Sequence, residues 1–432
     1  MSEPVERLSV FQRLMAWVLG IGPGIFAIGY TIGTGSVTSM TKAGAQFGTH
    51  LLWALGLSCI FSGVLLEAFG RYAIVTGDTA IHSFKAKLGL GVGLNKLIAI
   101  LTIIGVVVAQ WTALSGILGL TSNAVWETIR MFVPELRPQS YWPILAIAAL
   151  LILIMYLFLL VGKYSFFEKV LIVFVTIMGL AFVISMFIVL PSPGEIAEGF
   201  IPRVPNVPGG NLLVAALIGT TMTSPTFVTR PLLMHGKKWT GENIREQRRD
   251  AIMAAVLMFV VSGSIIVTAT GALHHHALNI NKVLDMVTTL KPVAGRFAVV
   301  LFMFGVMSAG LSSTFPILMV LPWLVADYQQ GELDTKSTRF KILCGVAAIV
   351  GLTVPLIGGN PIIAQIATQV FSIFILPVVI GGIIYLINKE AYMGSLKAGK
   401  WLNIGLVLAF IFACVTSVTG VRGLLELIQG IY

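Results

Sequence analysis

The chain has 432 residues, of which 57% are hydrophobic and only 11% are charged. Soluble domains carry about 25% charged residues, so a soluble fold of this size is excluded because it could not bury so much apolar surface. The net charge of +10 does not indicate nucleic-acid binding, since the basic residues are dispersed over loops and form no stripe with interleaved aromatic residues.

Apolar windows of about 20 residues, each long enough to cross roughly 30 Å of hydrocarbon, recur along the whole chain. We therefore predict an all-α polytopic membrane protein with eleven transmembrane helices. The connections are short, so residues 1–432 are expected to form a single transmembrane transporter domain. The windows cover residues 15–47, 50–75, 95–124, 141–162, 166–190, 211–235, 252–275, 293–326, 340–358, 362–387 and 401–430.

The basic residues predict how these spans are oriented. With a cytoplasmic N-terminus, 19 of the 28 Lys and Arg residues fall on the inner side and 8 on the outer side, while Arg230 lies inside a span. This asymmetry follows the positive-inside rule and predicts that the N-terminus is cytoplasmic and the C-terminus outside. The inner segment 239–250 carries both charge signs and is expected to be a solvated connector or, as the less favoured alternative, a short helix at the membrane surface.

Spans one and six are interrupted near their middles by residues that form helices poorly. In span six, Pro225 removes a backbone donor and disfavours helix at Ser224. Matching interruptions in spans one and six are typical of a five-plus-five inverted repeat, with the substrate held between them. We therefore predict one repeat at about 15–190, a second at about 211–387 and an extra helix at about 401–430. The substrate-binding residues predicted at the interruptions are Gly33, Thr34, Gly35, Ser36, Thr220, Thr223 and Ser224.

Several segments carry a resemblance to a known family. GPGIFAIGY, AGAQFGTHLLW and RYAIVTG in the first two spans, GLSST from Gly310, and TQVFSIFILP from Thr368 resemble the Nramp (natural resistance-associated macrophage protein) family of divalent-metal transporters. The resemblance covers most of the chain in order and implies a LeuT-type fold. It agrees with the inverted repeat inferred from the two interruptions.

The substrate site departs from the pattern of that family. The family's D-P-G-N metal motif falls on residues 33–36, and its metal-binding Met falls on Thr223. The acidic pair near the family's proton path falls on Ala109 and Thr112, neither of which ionises. By this alignment Gln369 in span ten is the one residue near the substrate that is retained, so we add it to the predicted substrate-binding residues.

A few polar residues inside spans are further candidates. Charged residues there are functional by default, which makes Glu67 and Arg230 candidate transport-pathway residues. Glu67 has a local alternative, an ion pair with Arg71 at i,i+4, and Arg230 has the alternative of a snorkelling anchor.

The adjacent His274, His275 and His276 are favoured as residues of the membrane interface over a metal site. Candidate sodium ligands, from resemblance to sodium-coupled LeuT-type transporters, are Ser312, Ser313 and Thr314.

The sequence-based function is secondary transport by alternating access. Without carboxylates or a thioether the site is not expected to hold a transition metal, and a small anion such as bicarbonate is favoured because half-helix N-termini and hydroxyls donate hydrogen bonds. The alternatives are a divalent cation such as Mg²⁺ or Mn²⁺ and a non-transporting membrane sensor. We expect no enzymatic activity, no cofactor, no nucleic acid and no obligate protein partner. The expected partners are a small inorganic ion, a coupling sodium ion or proton, and the lipid bilayer of the plasma (inner) membrane.

Overall fold

The structure is a computed structural model that describes residues 23–138, 140–161, 164–203, 209–274, 283–329 and 335–429. The regular elements of these residues are all helical, and ten helices are long and apolar enough to cross a membrane. His275 and His276, which belong to the histidine triplet considered above, lie outside the described residues.

The α-helices are numbered here in chain order. Among the described residues, short 3-10 helices at Gly241–Asn243 and Gly394–Leu396 lie between them. The α-helices are α1 (Gly24–Thr31), α2 (Thr34–Phe47), α3 (Leu52–Thr76), α4 (Ala80–Lys87), α5 (Val92–Phe132), α6 (Tyr141–Leu160), α7 (Tyr164–Ile188), α8 (Pro193–Glu198), α9 (Gly210–Thr221), α10 (Ser224–Val228), α11 (Arg230–Gly236), α12 (Ile244–Leu273), α13 (Val283–Gln329), α14 (Thr338–Gly351), α15 (Thr353–Ile357), α16 (Pro361–Asn388), α17 (Glu390–Met393) and α18 (Lys400–Ile428).

The two interrupted spans lie in the centre of the protein. Every residue from 23 to 45, in α1 and α2, is buried, and so is every residue from 212 to 231. In the most apolar window of the sixth span 94% of residues are buried inside the protein, against 28% for α6. Helices α6 and α18 therefore present much of their apolar surface to lipid, whereas the first and sixth spans are enclosed by protein.

The neighbours of the central spans come from distant parts of the chain. Helix α12 packs on α2 and α3, α13 packs on α5 and α7, and α16 packs on α5, α9 and α18. Helix α5 is 41 residues long, which at 1.5 Å per residue is about 60 Å and exceeds the hydrocarbon thickness. It therefore projects beyond the membrane, past the predicted window of residues 95–124.

The inner segment 239–250 differs from both expectations. It is neither a separate surface helix nor a loop along its whole length, because α12 begins at Ile244 and continues into the seventh span. The reason is an amphipathic first turn: Gln247 and Asp250 are buried against neighbouring helices, while the arginines between them are exposed. This segment therefore contains the first turns of a spanning helix.

Candidate functional site

The first interruption lies between α1 and α2. Ile32 and Gly33 leave helical geometry, and Gly33 is extended. A Cβ atom on Gly33 would overlap the Ser313 hydroxyl of α13, so only glycine allows this close approach. The first turn of α2 receives no side-chain cap, which leaves its backbone N–H groups available at the interruption.

The second interruption lies between α9 and α10. Helix α9 ends at Thr221, Met222 and Thr223 are non-helical, and α10 starts at Ser224 with Pro225 in its first turn. Proline in the first turn is compatible with a helix start because its missing N–H would be unpaired there. The Thr226 N–H donates to the Thr223 carbonyl at 3.1 Å, so this second N-terminus offers fewer free donors than the first.

The two interruptions contact each other through hydroxyl groups. The Ser36 and Thr220 hydroxyl oxygens are 2.5 Å apart. Each hydroxyl has one proton, so one of the two donates to the other. The carbonyl oxygen of Thr31, the last residue of α1, accepts the remaining proton and lies within hydrogen-bond distance of both hydroxyls, 3.3 Å from the Thr220 oxygen. Ser36 is 0% exposed and Thr220 is 3% exposed, so this conformation closes the region between the interruptions to solvent.

Three glutamine amides surround the same region. Gln110 of α5 donates from Nε2 to the Thr223 hydroxyl at 3.3 Å. A Cβ atom on Gly35 would overlap Gln369 Nε2 and lie 2.5 Å from Gln365 Oε1, both on α16. The predicted residues at the interruptions and Gln369 thus lie close together, and their role in binding stays a prediction.

Gln110 and Gln365 were missed by the sequence analysis. Gln365 precedes Gln369 by four positions and therefore lies on the same face of its helix, which is a usable signal. Gln110 directly follows Ala109, the position aligned with an acidic residue of the family pattern. A polar residue beside a position where the family pattern has an acidic residue is a weaker signal of a functional side chain.

Several buried oxygen atoms at the interruptions lack a hydrogen-bond partner among the described residues: Thr31 Oγ1, Thr34 Oγ1, Ser224 Oγ and Gln365 Oε1. A buried polar group without a partner costs roughly 1–3 kcal/mol. A bound polar cargo would satisfy such groups. The arrangement therefore provides neutral oxygen atoms at which a small hydrophilic solute can bind.

Residues that bind metal ions strongly are scarce in this region. The described residues contain no group of three His, Cys, Asp or Glu side chains that could hold a metal ion. Met222 is fully buried at the second interruption, but Thr223 occupies the position aligned with the metal-binding Met. His274 uses its Nδ1 in a 3.0 Å hydrogen bond with the Ala45 carbonyl.

Arg230 forms a buried ion pair that the sequence analysis did not foresee. Its Nη2 is 2.6 Å from Asp250 Oδ2 of α12, and the two side chains are 0% and 2% exposed. The other carboxylate oxygen accepts from the Gly24 N–H at the start of α1, at 3.2 Å. The snorkelling alternative is therefore wrong. Asp250 neutralises the positive charge of Arg230, which therefore does not favour an anion, and a role in the pathway stays a prediction.

Glu67 forms the expected local ion pair. Its Oε1 lies 2.7 Å from Arg71 Nη2 on α3. Gln247 of α12 donates from Nε2 to the Glu67 carbonyl oxygen at 3.2 Å, which places this pair at the contact between the second and seventh spans. Its assignment to the transport pathway stays a prediction.

The serine and threonine run of α13 is divided between two roles. Ser313 donates to the Gly29 carbonyl of α1 at 2.6 Å, whereas Ser312 and Thr314 donate to carbonyls of their own helix. Ser313 thus faces α1 just before the first interruption. The assignment of the three residues as sodium ligands stays a prediction.

Comparisons with known proteins agree with this architecture. The family model described as natural resistance-associated macrophage protein-like (Nramp) matches residues 24–422. The divalent metal cation transporter MntH of Mycobacterium leprae is 23% identical over 400 residues, covering 88% of this chain and 86% of the relative. MntH of Vibrio campbellii is 23% identical over 404 residues, covering 92% and 90%.

Solved structures share the fold. A manganese transporter of Eremococcus coleocola superposes with a TM-score of 0.70 at 16% identity, covering 99% of this chain and 94% of that one. MhsT in complex with L-phenylalanine gives a TM-score of 0.66 at 15% identity, covering 94% and 98%. These likenesses show an all-helical membrane fold of the LeuT type. From the family match over residues 24–422, this chain belongs to the Nramp family of membrane transporters.

Proposed function

We propose that this chain is a secondary transporter that moves a divalent metal cation, with Mg²⁺ as the favoured cargo, by alternating access. Family membership supports transport, and the relatives named above are divalent metal cation transporters. This proposal adopts the alternative of the sequence analysis. The comparisons favour a metal cation over a small anion.

The observation that carries the choice of cation is a set of neutral oxygen atoms at the two interruptions. Unpartnered oxygens of Thr34, Ser224 and Gln365 lie there. Mg²⁺ prefers oxygen ligands and usually keeps several of its waters, so neutral oxygens can bind it through its hydration shell. A dehydrated divalent ion would need carboxylates, each of which supplies on the order of 10 kcal/mol at contact at an effective dielectric near 20.

Alternating access is supported by the position of the site. The predicted binding residues lie where two helices are interrupted, and unwound backbone at membrane depth is tolerated where it is buried in protein or lines a cavity. In this structure the Ser36–Thr220 contact closes the region. Transport requires the predicted repeats, residues 15–190 and 211–387, to move relative to each other so that this contact opens to one side at a time.

Flux into proteoliposomes tests the proposal. Vesicles containing the purified chain should take up Mg²⁺ faster than empty vesicles and faster than they take up Mn²⁺. Thr223→Val should reduce uptake because it removes one of the neutral oxygens. Imposed sodium and proton gradients identify the coupling ion. Absence of Mg²⁺ and Mn²⁺ uptake above empty vesicles would refute a divalent cation as cargo.

A small anion such as bicarbonate is the second candidate. It is favoured by the uncapped first turn of α2 and by the lack of carboxylates at the interruptions among the described residues. It ranks second because Asp250 neutralises Arg230 and because α10 has few free donors. Labelled bicarbonate supplied to the same vesicles decides between the candidates, since anion uptake without cation uptake would reverse the order.

A further inference from the structure

Gln365 lies between two spans that the chain brings together only in three dimensions. It is 0% exposed. Its Nε2 donates to the Ala113 carbonyl of α5 at 2.9 Å. This hydrogen bond fixes the amide, so that the donor end faces α5 and the acceptor end faces away from it.

Two glycines provide the space for this amide. A Cβ atom on Gly116 of α5 would lie 2.7 Å from Gln365 Nε2, and one on Gly35 of α2 would lie 2.5 Å from Gln365 Oε1. At separations below 3.0 Å one of the two groups must shift, so a methyl group added at either position would displace the Gln365 amide. The amide oxygen is thereby held against the first turn of α2, directly after the first interruption.

The amide oxygen of Gln365 is an unused acceptor. It is buried and has no hydrogen-bond partner among the described residues. Its orientation cannot relax by exchange of the amide ends, because the Nε2 bond to Ala113 would then be lost. An acceptor held in this way is satisfied by a ligand that brings a donor or a positive charge, such as a cation or its bound water.

We propose that Gln365 binds the cargo and determines cation specificity, its neutral amide oxygen accepting from the hydration shell of the ion. This inference rests on the proposed function. A carboxylate at the same point would favour a dehydrated and more tightly held ion. The neutral amide favours an ion that keeps its water. Gln110 acts as a positioning residue, since its Nε2 donates to the Thr223 hydroxyl.

Two substitutions of similar size test the role of the amide oxygen. Gln365→Leu removes it, and we expect Mg²⁺ binding by calorimetry and Mg²⁺ flux to fall at least tenfold. Gln365→Glu adds a negative charge, and we expect Mn²⁺ binding to tighten at least tenfold.

Gln247→Leu is the matched control. Gln247 is also fully buried, its Oε1 also lacks a partner among the described residues, and its Nε2 donates to carbonyls of α3. This variant should change thermal stability without changing cation affinity. Should Gln365→Leu fold poorly, the Glu variant alone decides, because a gain in Mn²⁺ affinity requires a folded site.

The possible results separate the two proposals. If wild type carries Mg²⁺ and both Gln365 variants bind and transport as wild type does, the inference about Gln365 is refuted and the proposed function stands. If wild type carries bicarbonate and no divalent cation, the proposed function is refuted. The role of Gln365 in cation specificity would be refuted with it. A tenfold loss of bicarbonate flux in Gln365→Leu would then leave Gln365 only as a cargo ligand, and no loss would refute that role as well. Wild type that carries none of the three ions refutes both.

Discussion

At the residue scale, the pair of Arg230 and Asp250 is the most fully buried ion pair among the described residues. It joins α11 to α12, and its carboxylate also receives the first N–H of α1. A buried charge is tolerated only when it is paired. The pair therefore holds together the first, sixth and seventh spans at one end of the protein.

Removal of one partner should be costly. Asp250→Asn leaves the Arg230 guanidinium buried without its counter-charge, and we expect a loss of about 3–5 kcal/mol in the free energy of unfolding. The double variant Arg230→Met/Asp250→Leu should recover much of this loss. Denaturant unfolding in detergent measures both. As a control, Lys397→Ala breaks an exposed ion pair with Glu390 and should change stability by at most about 1 kcal/mol. Equal losses in the single and double variants would contradict this account.

A second prediction at this scale concerns Gly35. The substitution Gly35→Ala places a methyl group against the amides of Gln365 and Gln369, and overpacking of this kind costs about 1–3 kcal/mol. We expect cation flux to fall at least tenfold. Gly93→Ala, a helical position with open space around it, should leave flux unchanged. Wild-type flux in Gly35→Ala would show that the amides do not pack on α2 as described.

At the scale of elements, the short helix α4 depends on one carboxylate from a distant helix. Asp327 near the end of α13 accepts from the backbone N–H groups of Ile81 at 3.0 Å and His82 at 2.9 Å, and from the Thr79 hydroxyl. These are the groups that a helix start leaves unpaired. Asp327 therefore caps α4 and fixes it to the eighth span.

Loss of this cap should loosen α4 selectively. In Asp327→Ala, residues 80–87 should exchange their amide hydrogens faster, because a charged acceptor of several bonds contributes about 1.5–3 kcal/mol per bond. Hydrogen exchange followed by mass spectrometry measures the change. Ser337→Ala removes the cap of α14, where the Ser337 hydroxyl accepts from the Phe340 N–H, and should leave residues 80–87 unaffected. Unchanged exchange in the Asp327 variant would exclude a capping role.

At the scale of the whole molecule, the orientation in the membrane is the main prediction. The charge asymmetry places Lys336 inside and Arg137 outside, and both residues are exposed. In a background with Cys59, Cys344 and Cys414 replaced, a membrane-impermeant thiol reagent should label Arg137→Cys in intact cells. It should label Lys336→Cys only after permeabilisation. The reverse pattern would invert the predicted topology of every span.

Features that depend on neighbours along the chain could be predicted from the sequence. Apolar windows predicted the spanning helices, because a helix must be apolar over the whole hydrocarbon thickness. Gly33 and Pro225 indicated where the helices are interrupted, since both residues disfavour regular helix. The ion pair of Glu67 and Arg71 followed from i,i+4 spacing. In each case the physical cause lies within one or two helical turns.

Only the tertiary structure decided which polar groups meet. The partner of Arg230, the amide of Gln365 against Gly35, and the hydroxyl contact between Ser36 and Thr220 all join different helices. Local periodicity does not specify which faces of two helices pack together. Asp250 was therefore assigned to a connector, and its ion pair with Arg230 was not predicted. The balance of charge around the site therefore depended on the packing of helices that are far apart in the chain.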